Sequence, residues 1–150
     1  AHQAGVGATI PVRLGGKTDD LHGPSVERDA YVRVLSDGKY TYRGPMMQGV
    51  QDNLGLTATL VVGGVEVVVS SQRRQCFDAE MLRIAGVEPT GLRLLVLKSA
   101  VHFRAHFGPM ASRIFDADTP GIHRPDLAAF DFRKLRRPIY PLDSLTEWRE

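Results

Sequence analysis

Cysteine is almost absent from this 150-residue chain: Cys76 is the only one. A single thiol excludes an internal disulfide and a cysteine-rich zinc cluster, and it fits a reducing, cytoplasmic compartment. Long apolar runs are missing too. No stretch approaches the ~20 residues a membrane-spanning helix needs, so no membrane is expected as a partner. The opening "AHQAGVGATI" lacks the charged start and long apolar stretch of a signal peptide, and it lacks an initiator methionine. The expectation is a piece of something longer, or a processed form. An excess of charge of one sign is also lacking, since 19 basic and 17 acidic residues leave a formal charge of +2. A polyanion-binding domain would concentrate basic charge on one face, so no nucleic-acid partner is expected. The basic run "RKLRRP" (133–138) is too short and interrupted to change that.

What is present suits one folded domain over residues 1–150. The chain is 43% hydrophobic, and a chain of this length buries roughly 70% of the surface it exposes when unfolded. Fifteen glycines and nine prolines point to many turns and short elements. Residues 8–14 (ATIPVRL) read as a strand running into Gly15-Gly16. Residues 30–35 (AYVRVL) alternate, Asp37-Gly38 marks a turn, and residues 40–43 (YTYR) return, which predicts a hairpin. Residues 57–62 (TATLVV) and 65–70 (VEVVVS), joined by Gly63-Gly64, predict a second one of valine-rich strands.

The last third changes character. Asp78 is a candidate N-cap for a helix over 79–85, with Gly86 as its C-terminal stop. The apolar run 92–97 (LRLLVL) reads as a central strand, Ser99 as the cap of a helix reaching Met110, and 113–116 (RIFD) as the next strand. Together these make a β-α-β crossover. An extended "RRPIYPLD" follows at 136–143. The expected class is α/β (α+β-like), a mixed β-sheet with a hairpin-rich first half, a β-α-β crossover and few helices in the second half.

The chemistry concentrates in "KSAVHFRAHF" (98–107). His102 and His106, four apart, resemble the spacing of H-E-x-x-H zinc hydrolases, where a helix sets both rings on one face. The motif nonetheless fails. Phe103 stands where the general-base glutamate belongs, no third ligand is evident, and Arg104 would set a positive charge beside a dication. A different reading joins Lys98, Ser99, His102 and Arg104 at a strand-to-helix junction, where ligands commonly bind. Lysine and arginine hold carboxylates or phosphates, and histidine moves protons; the alternative is an ordinary capped helix with a solvated basic face. "GGKTDDLHG" (15–23), with Lys17, Thr18, Asp19, Asp20 and His22, lacks the spacing of a phosphate-binding loop; it reads as a polar turn, the alternative being that its carboxylates and histidine meet a metal or a substrate. "SSQRRQ" (70–75) carries Arg73, Arg74 and Gln75, suited to binding a carboxylate and equally ordinary on a surface.

Five segments, "LGGKTDDLHG" (14–23), "LSDGKYTYRGPM" (35–46), "VVVSSQRRQCFDAEML" (67–82), "LKSAVHFRAHF" (97–107) and "RRPIYPLD" (136–143), occur in an order that resembles the C-terminal domain of the MlrC (microcystinase C-like) metallopeptidases. The resemblance covers nearly the whole chain. It implies a bacterial zinc-dependent hydrolase of peptides or small amides, with microcystin breakdown products as the family's named substrate, and full chains about three times longer, beyond the size of one domain. It further implies zinc ligands (an aspartate and histidines) in a larger N-terminal domain of the same protein and no metal bound to this chain. Lys98, Ser99, His102 and Arg104 match the family pattern. His106 departs from it, standing where a small residue is expected, and the glycine-rich stretch that usually precedes "GATI" is missing. On this resemblance His102 and Arg104 would support catalysis by stabilising an oxyanion, while Lys17, Arg73, Lys98 and Ser99 would bind a small peptide substrate. This chain alone would be inactive. Homo-oligomerisation stays open, and so do two other functions: a structural or dimerising domain, and an independent small-anion binding module.

Overall fold

The computed structural model describes residues 1–119 and 126–143. The chain forms two compact units, the first made of Ala1–Gly15 with Ser25–Asp116 and the second of Gly16–Pro24 with Ala117–Glu150.

The first unit is built on a four-stranded sheet in the order β1-β2-β5-β6. Its strands are β1 (Thr9–Leu14), β2 (Val26–Ser36), β5 (Thr57–Val62) and β6 (Val65–Ser70). Two three-residue strands, β3 (Lys39–Thr41) and β4 (Gln51–Asn53), pair in a separate ribbon. The class is α+β. Every ladder among the described residues is antiparallel, so the sheet is not mixed. The β5–β6 hairpin forms in the expected register, Val62 facing Val65 across Gly63-Gly64. Both glycines have positive φ, 53° and 86°, which the two-residue turn requires.

The hairpin expected at Asp37-Gly38 does not form. β2 pairs with β1 and β5, whereas β3 leaves for β4. Gly38 serves a different contact: its carbonyl accepts from Leu54 N at 2.9 Å, and a Cβ there would lie 2.7 Å from Gly55 N. The turn thus closes against the Asn53–Gly55 bend. Tyr40 and Tyr42 then bury in a cluster with Leu54 and Met81, away from the four-stranded sheet.

Side chains on the two faces of that sheet meet different neighbours, as strand alternation dictates. Ala30, Val32, Ala58 and Leu60 make one cluster, packed by Ile10, Val12 and Val69. The other face carries Thr59, whose Oγ1 donates to Ala85 O at 2.6 Å, and Val68, which packs with Ala79, Leu82, Val87 and Phe107. An irregularity between Val32 and Val34 in β2 leaves Arg33 as an extra residue, and its guanidinium reaches Gly86 O at 2.6 Å and pairs with Glu66.

Helices are few and short. α1 spans Glu80–Arg83, and hydrogen bonds from Met81 N to Asp78 O and from Gly86 N to Arg83 O extend the turn at both ends. Asp78 acts at its start, with Oδ1 accepting from Glu80 N at 2.9 Å, and Gly86 stops it with φ 73°. α2 spans only Arg104–Phe107, followed by a 3-10 turn at Gly108–Met110. The helix expected from Ser99 therefore starts later, and Ser99 does not cap it. Neither 92–97 nor 113–116 lies in a ladder, so the β-α-β crossover is absent. Residues 92–97 lie outside any helix or strand, with a bend at Arg93 and with Leu95 and Leu97 packed on the Leu82–Phe107 cluster.

In the second unit, Asp19 Oδ1 accepts from Leu21 N at 2.8 Å and lies 2.6 Å from His22 Nδ1. That bond holds the Asp19 carboxyl below its ordinary range. The segment 136–143, expected to be extended, turns back on itself. Arg137 grips the Asp143 carboxylate at 2.5 and 2.7 Å, and Ile139 N donates to it at 2.6 Å.

Candidate functional site

After β6 the chain runs without regular structure from Ser71 to Phe77 before entering α1. Its middle is held by a polar network. Arg74 Nε donates to Asp52 Oδ2 at 3.2 Å, Tyr42 donates its hydroxyl to the same oxygen at 2.9 Å, and Tyr40 donates to Tyr42 at 2.8 Å. The Tyr42 ring stacks on Phe77, centroids 5.1 Å apart and planes 1° from parallel. Asp52 also accepts from Asn53 N, its strongest single reason for a carboxyl held below the ordinary value. Burial pushes both tyrosine hydroxyls above theirs. The network therefore keeps a fixed charge pair and protonated phenols, and it anchors the chain at Arg74.

Gln75, the next residue, reaches outward. Its Nε2 donates to Ser99 Oγ at 2.8 Å and to His102 Nδ1 at 3.0 Å. Since an amide nitrogen only donates, Nδ1 is the acceptor, and the neutral ring keeps its proton at Nε2. Two of the residues expected at the site, Ser99 and His102, are thus brought together by a third that lies 24 and 27 positions away. Lys98 adjoins Ser99 and Arg73 lies two residues before Gln75. Both are exposed, and neither side chain has a hydrogen-bonding or ion-pair partner among the described residues. Arg104 is engaged differently. Its Nη2 donates to both Asp116 oxygens at 2.7 and 2.8 Å, and its guanidinium lies 5.2 Å from the centre of the Phe103 ring. Lys17 sits in the second unit, exposed in the loop before Asp19.

His102 and His106 do not share neighbours. α2 begins at Arg104, so His102 precedes it, and the one-face geometry of an i, i+4 helical pair does not arise. His106 turns inward. Its Nδ1 lies 3.2 Å from Ala79 N and 3.3 Å from Asp78 Oδ2. The buried Asp78 carboxylate also accepts from Arg43 N at 3.1 Å and Gly44 N at 2.6 Å. A Cβ on Gly44 would collide with His106 and come within 2.8 Å of Asp78 Oδ2. This cluster joins three segments of backbone and serves packing. Cys76, beside it, is raised to about 11, first by burial and then by the Asp78 charge, so it stays a thiol at neutral pH. Among the described residues no group of three or more His, Cys, Asp or Glu could hold a metal ion. The described residues therefore do not by themselves fit a zinc centre.

In the sequence Gln75 stands out only as a polar residue suited to a carboxylate, with no signal that pairs it with Ser99 and His102. Asp116, the partner of Arg104, had none either, because it was read as the end of a strand.

Residues 1–134 match the model of a family described as MlrC C-terminus. The chain belongs to that family. Over 142 residues it is 28% identical to Microcystinase C of a Sphingomonas species, covering 94% of this chain and 26% of the relative. A crystal structure provisionally assigned as a metallopeptidase, from Mesorhizobium sp. BNC1, is similar over 99% of this chain at 31% identity with a TM-score of 0.78, and the match covers 29% of that chain. This MlrC C-terminal chain thus spans about a quarter of the length of the relatives it matches. No helix among its described residues is long and apolar enough to cross a membrane.

Proposed function

We propose that this chain is the C-terminal accessory part of an MlrC-like metallopeptidase, in which it binds substrate and supports the hydrolysis of peptide or amide bonds in small or linearised peptides. The observation that carries the reading is the Gln75 bridge. It holds Ser99 and His102 side by side while Lys98 and Arg73 keep unpaired cations nearby along the chain. A peptide offers two kinds of negative charge to such a group. Lys98 and Arg73 would hold a substrate carboxylate. His102, with its proton on Nε2, would donate to the scissile carbonyl oxygen as charge develops there. Ser99 would hydrogen-bond the substrate backbone, and Arg104, gripped by Asp116, would support this loop from one side.

The metal expected of a metallopeptidase, zinc in this reading, would be held by the N-terminal domain of the whole protein, as the resemblance to the family implies. The lone thiol is in keeping with a cytoplasmic setting. The name of the Sphingomonas relative directs the first substrate trial toward linearised microcystin and similar short peptides.

The test is steady-state kinetics of the full-length enzyme carrying His102→Ala or Lys98→Ala. His102→Ala is expected to lower kcat, by roughly a hundredfold if it removes one oxyanion donor. Lys98→Ala is expected to raise KM for peptides with a free carboxylate and to spare amidated ones. Turnover unchanged in both variants would remove the proposal and leave a structural or dimerising role.

A further inference from the structure

The segment 92–97 has the chemistry of a strand and lacks its partner. Leu95 and Leu97 face inward onto Ala79, Leu82, Val87 and Phe107. Leu92, Leu94 and Val96 face out, with Leu94 74% and Val96 83% exposed. From Leu94 to Leu97 that alternation is the period of a strand with one face on a core, and Arg93 before it is exposed at a bend. Among the described residues the backbone of 93–98 makes no hydrogen bond, so a row of N–H and C=O groups stands open beside a row of apolar side chains. Proteins ordinarily blunt such an edge with charge, proline or a covering element. Here the outward positions are leucine and valine, and the chain's prolines lie elsewhere.

We infer that residues 92–97 are a seat for strand addition by the N-terminal polypeptide of the full-length protein, and that this seam holds the two parts together. Three observations select that occupant. The matched family is described as a C-terminus, so in its members other polypeptide precedes this part. About three quarters of each matched relative lies outside the region shared with this chain. The open segment also leads directly into Lys98, Ser99 and His102, so an added strand would bring its polypeptide to the margin of the polar cluster. Main-chain bonds would supply the attachment, and the outward Leu94 and Val96 would bury beneath the incoming part. The inference goes beyond the catalytic reading and does not require it.

The experiment is amide hydrogen exchange on the full-length protein and on this 150-residue chain, with no substrate or metal needed in the readout. Amides 93–98 are expected to exchange roughly a hundredfold more slowly in the full-length protein, as for a strand drawn into a cooperative unit. The β5–β6 amides should be protected in both and serve as the control. Val96→Lys, an outward position, should remove the difference at 93–98 while leaving β5–β6 unchanged. Val65→Lys, at an exposed valine of the β5–β6 hairpin, should leave both unchanged. Fast exchange at 93–98 in the full-length protein overturns the inference. So does equal protection in the two proteins, or protection of the short chain that grows with its concentration, which would assign the edge to a second copy. Loss of turnover in His102→Ala with 93–98 still protected would separate the fate of this inference from that of the catalytic proposal.

Discussion

Two histidines four residues apart do different work because one points out and the other in. His102 is exposed and bonded to a side chain, Gln75, whereas His106 accepts from a backbone N–H at the start of α1. Removing His106 strands the Ala79 N–H in a buried place, and an unsatisfied buried donor costs about 1–3 kcal/mol. His106→Ala is therefore expected to lower the unfolding free energy by that amount and the urea midpoint with it, while His102→Ala leaves the midpoint unchanged; urea unfolding followed by circular dichroism checks both. Titration at single residues is equally specific. Glu88 is lowered to about 2 from 4.5, chiefly by the Arg83 guanidinium at 2.7 Å. A depressed carboxylate stabilises the fold above its unfolded value and loses that contribution as pH falls through the folded one. Acid titration of stability between pH 4.5 and about 2 should thus be shallower in Glu88→Gln than in the parent. Cys76 behaves oppositely. Raised to about 11, it should resist alkylation by iodoacetamide at neutral pH and react readily only when unfolded.

At the scale of elements, local chemistry decided some outcomes and competition decided others. Gly86 is needed twice, for its φ of 73° and for the 2.8 Å approach a Cβ would make to Val34 Cγ2. Gly86→Ala is expected to destabilise by about 1–2 kcal/mol, the cost of a left-handed conformation for an L residue, plus the displacement of Val34, measurable as a lowered thermal midpoint. The glycine was legible because a helix stop is a local event. The Gly63-Gly64 hairpin was legible for the same reason, since its arms have no nearer partner than each other. Asp37-Gly38 carried an equally strong signal and misled. β5 offers β2 five paired positions, while Tyr40 of β3 and Tyr42 just after it bury in a different cluster, and long-range pairing outweighed the local turn. The helix from Ser99 shortened to α2 because the chain bends at Ala100 and Gln75 takes the Ser99 hydroxyl that would have capped it.

At the scale of the molecule, the chain is the smaller part of what its relatives carry, and its chemistry is arranged accordingly. Its described residues gather no metal ligands, so chelator treatment of the 150-residue chain is expected to leave its circular dichroism and urea midpoint unchanged; a loss of structure would reveal a metal centre and count against the assignment of zinc to the N-terminal part. The sequence by itself determined the family, the valine hairpin, the glycine stops and the residue types of the candidate site. These rest on short-range signals, which survive wherever a segment ends up. Only the tertiary structure decided that His102 and Ser99 meet through Gln75, that His106 belongs to packing around Asp78, and that Arg104 is claimed by Asp116. It also turned an apolar run, read as a central strand, into a segment outside any helix or strand with one face still open. Such pairings join residues 12 to 28 positions apart, and whether a polar side chain meets a partner, a backbone amide or solvent depends on where the sheet and the two short helices deliver it, which no local pattern encodes.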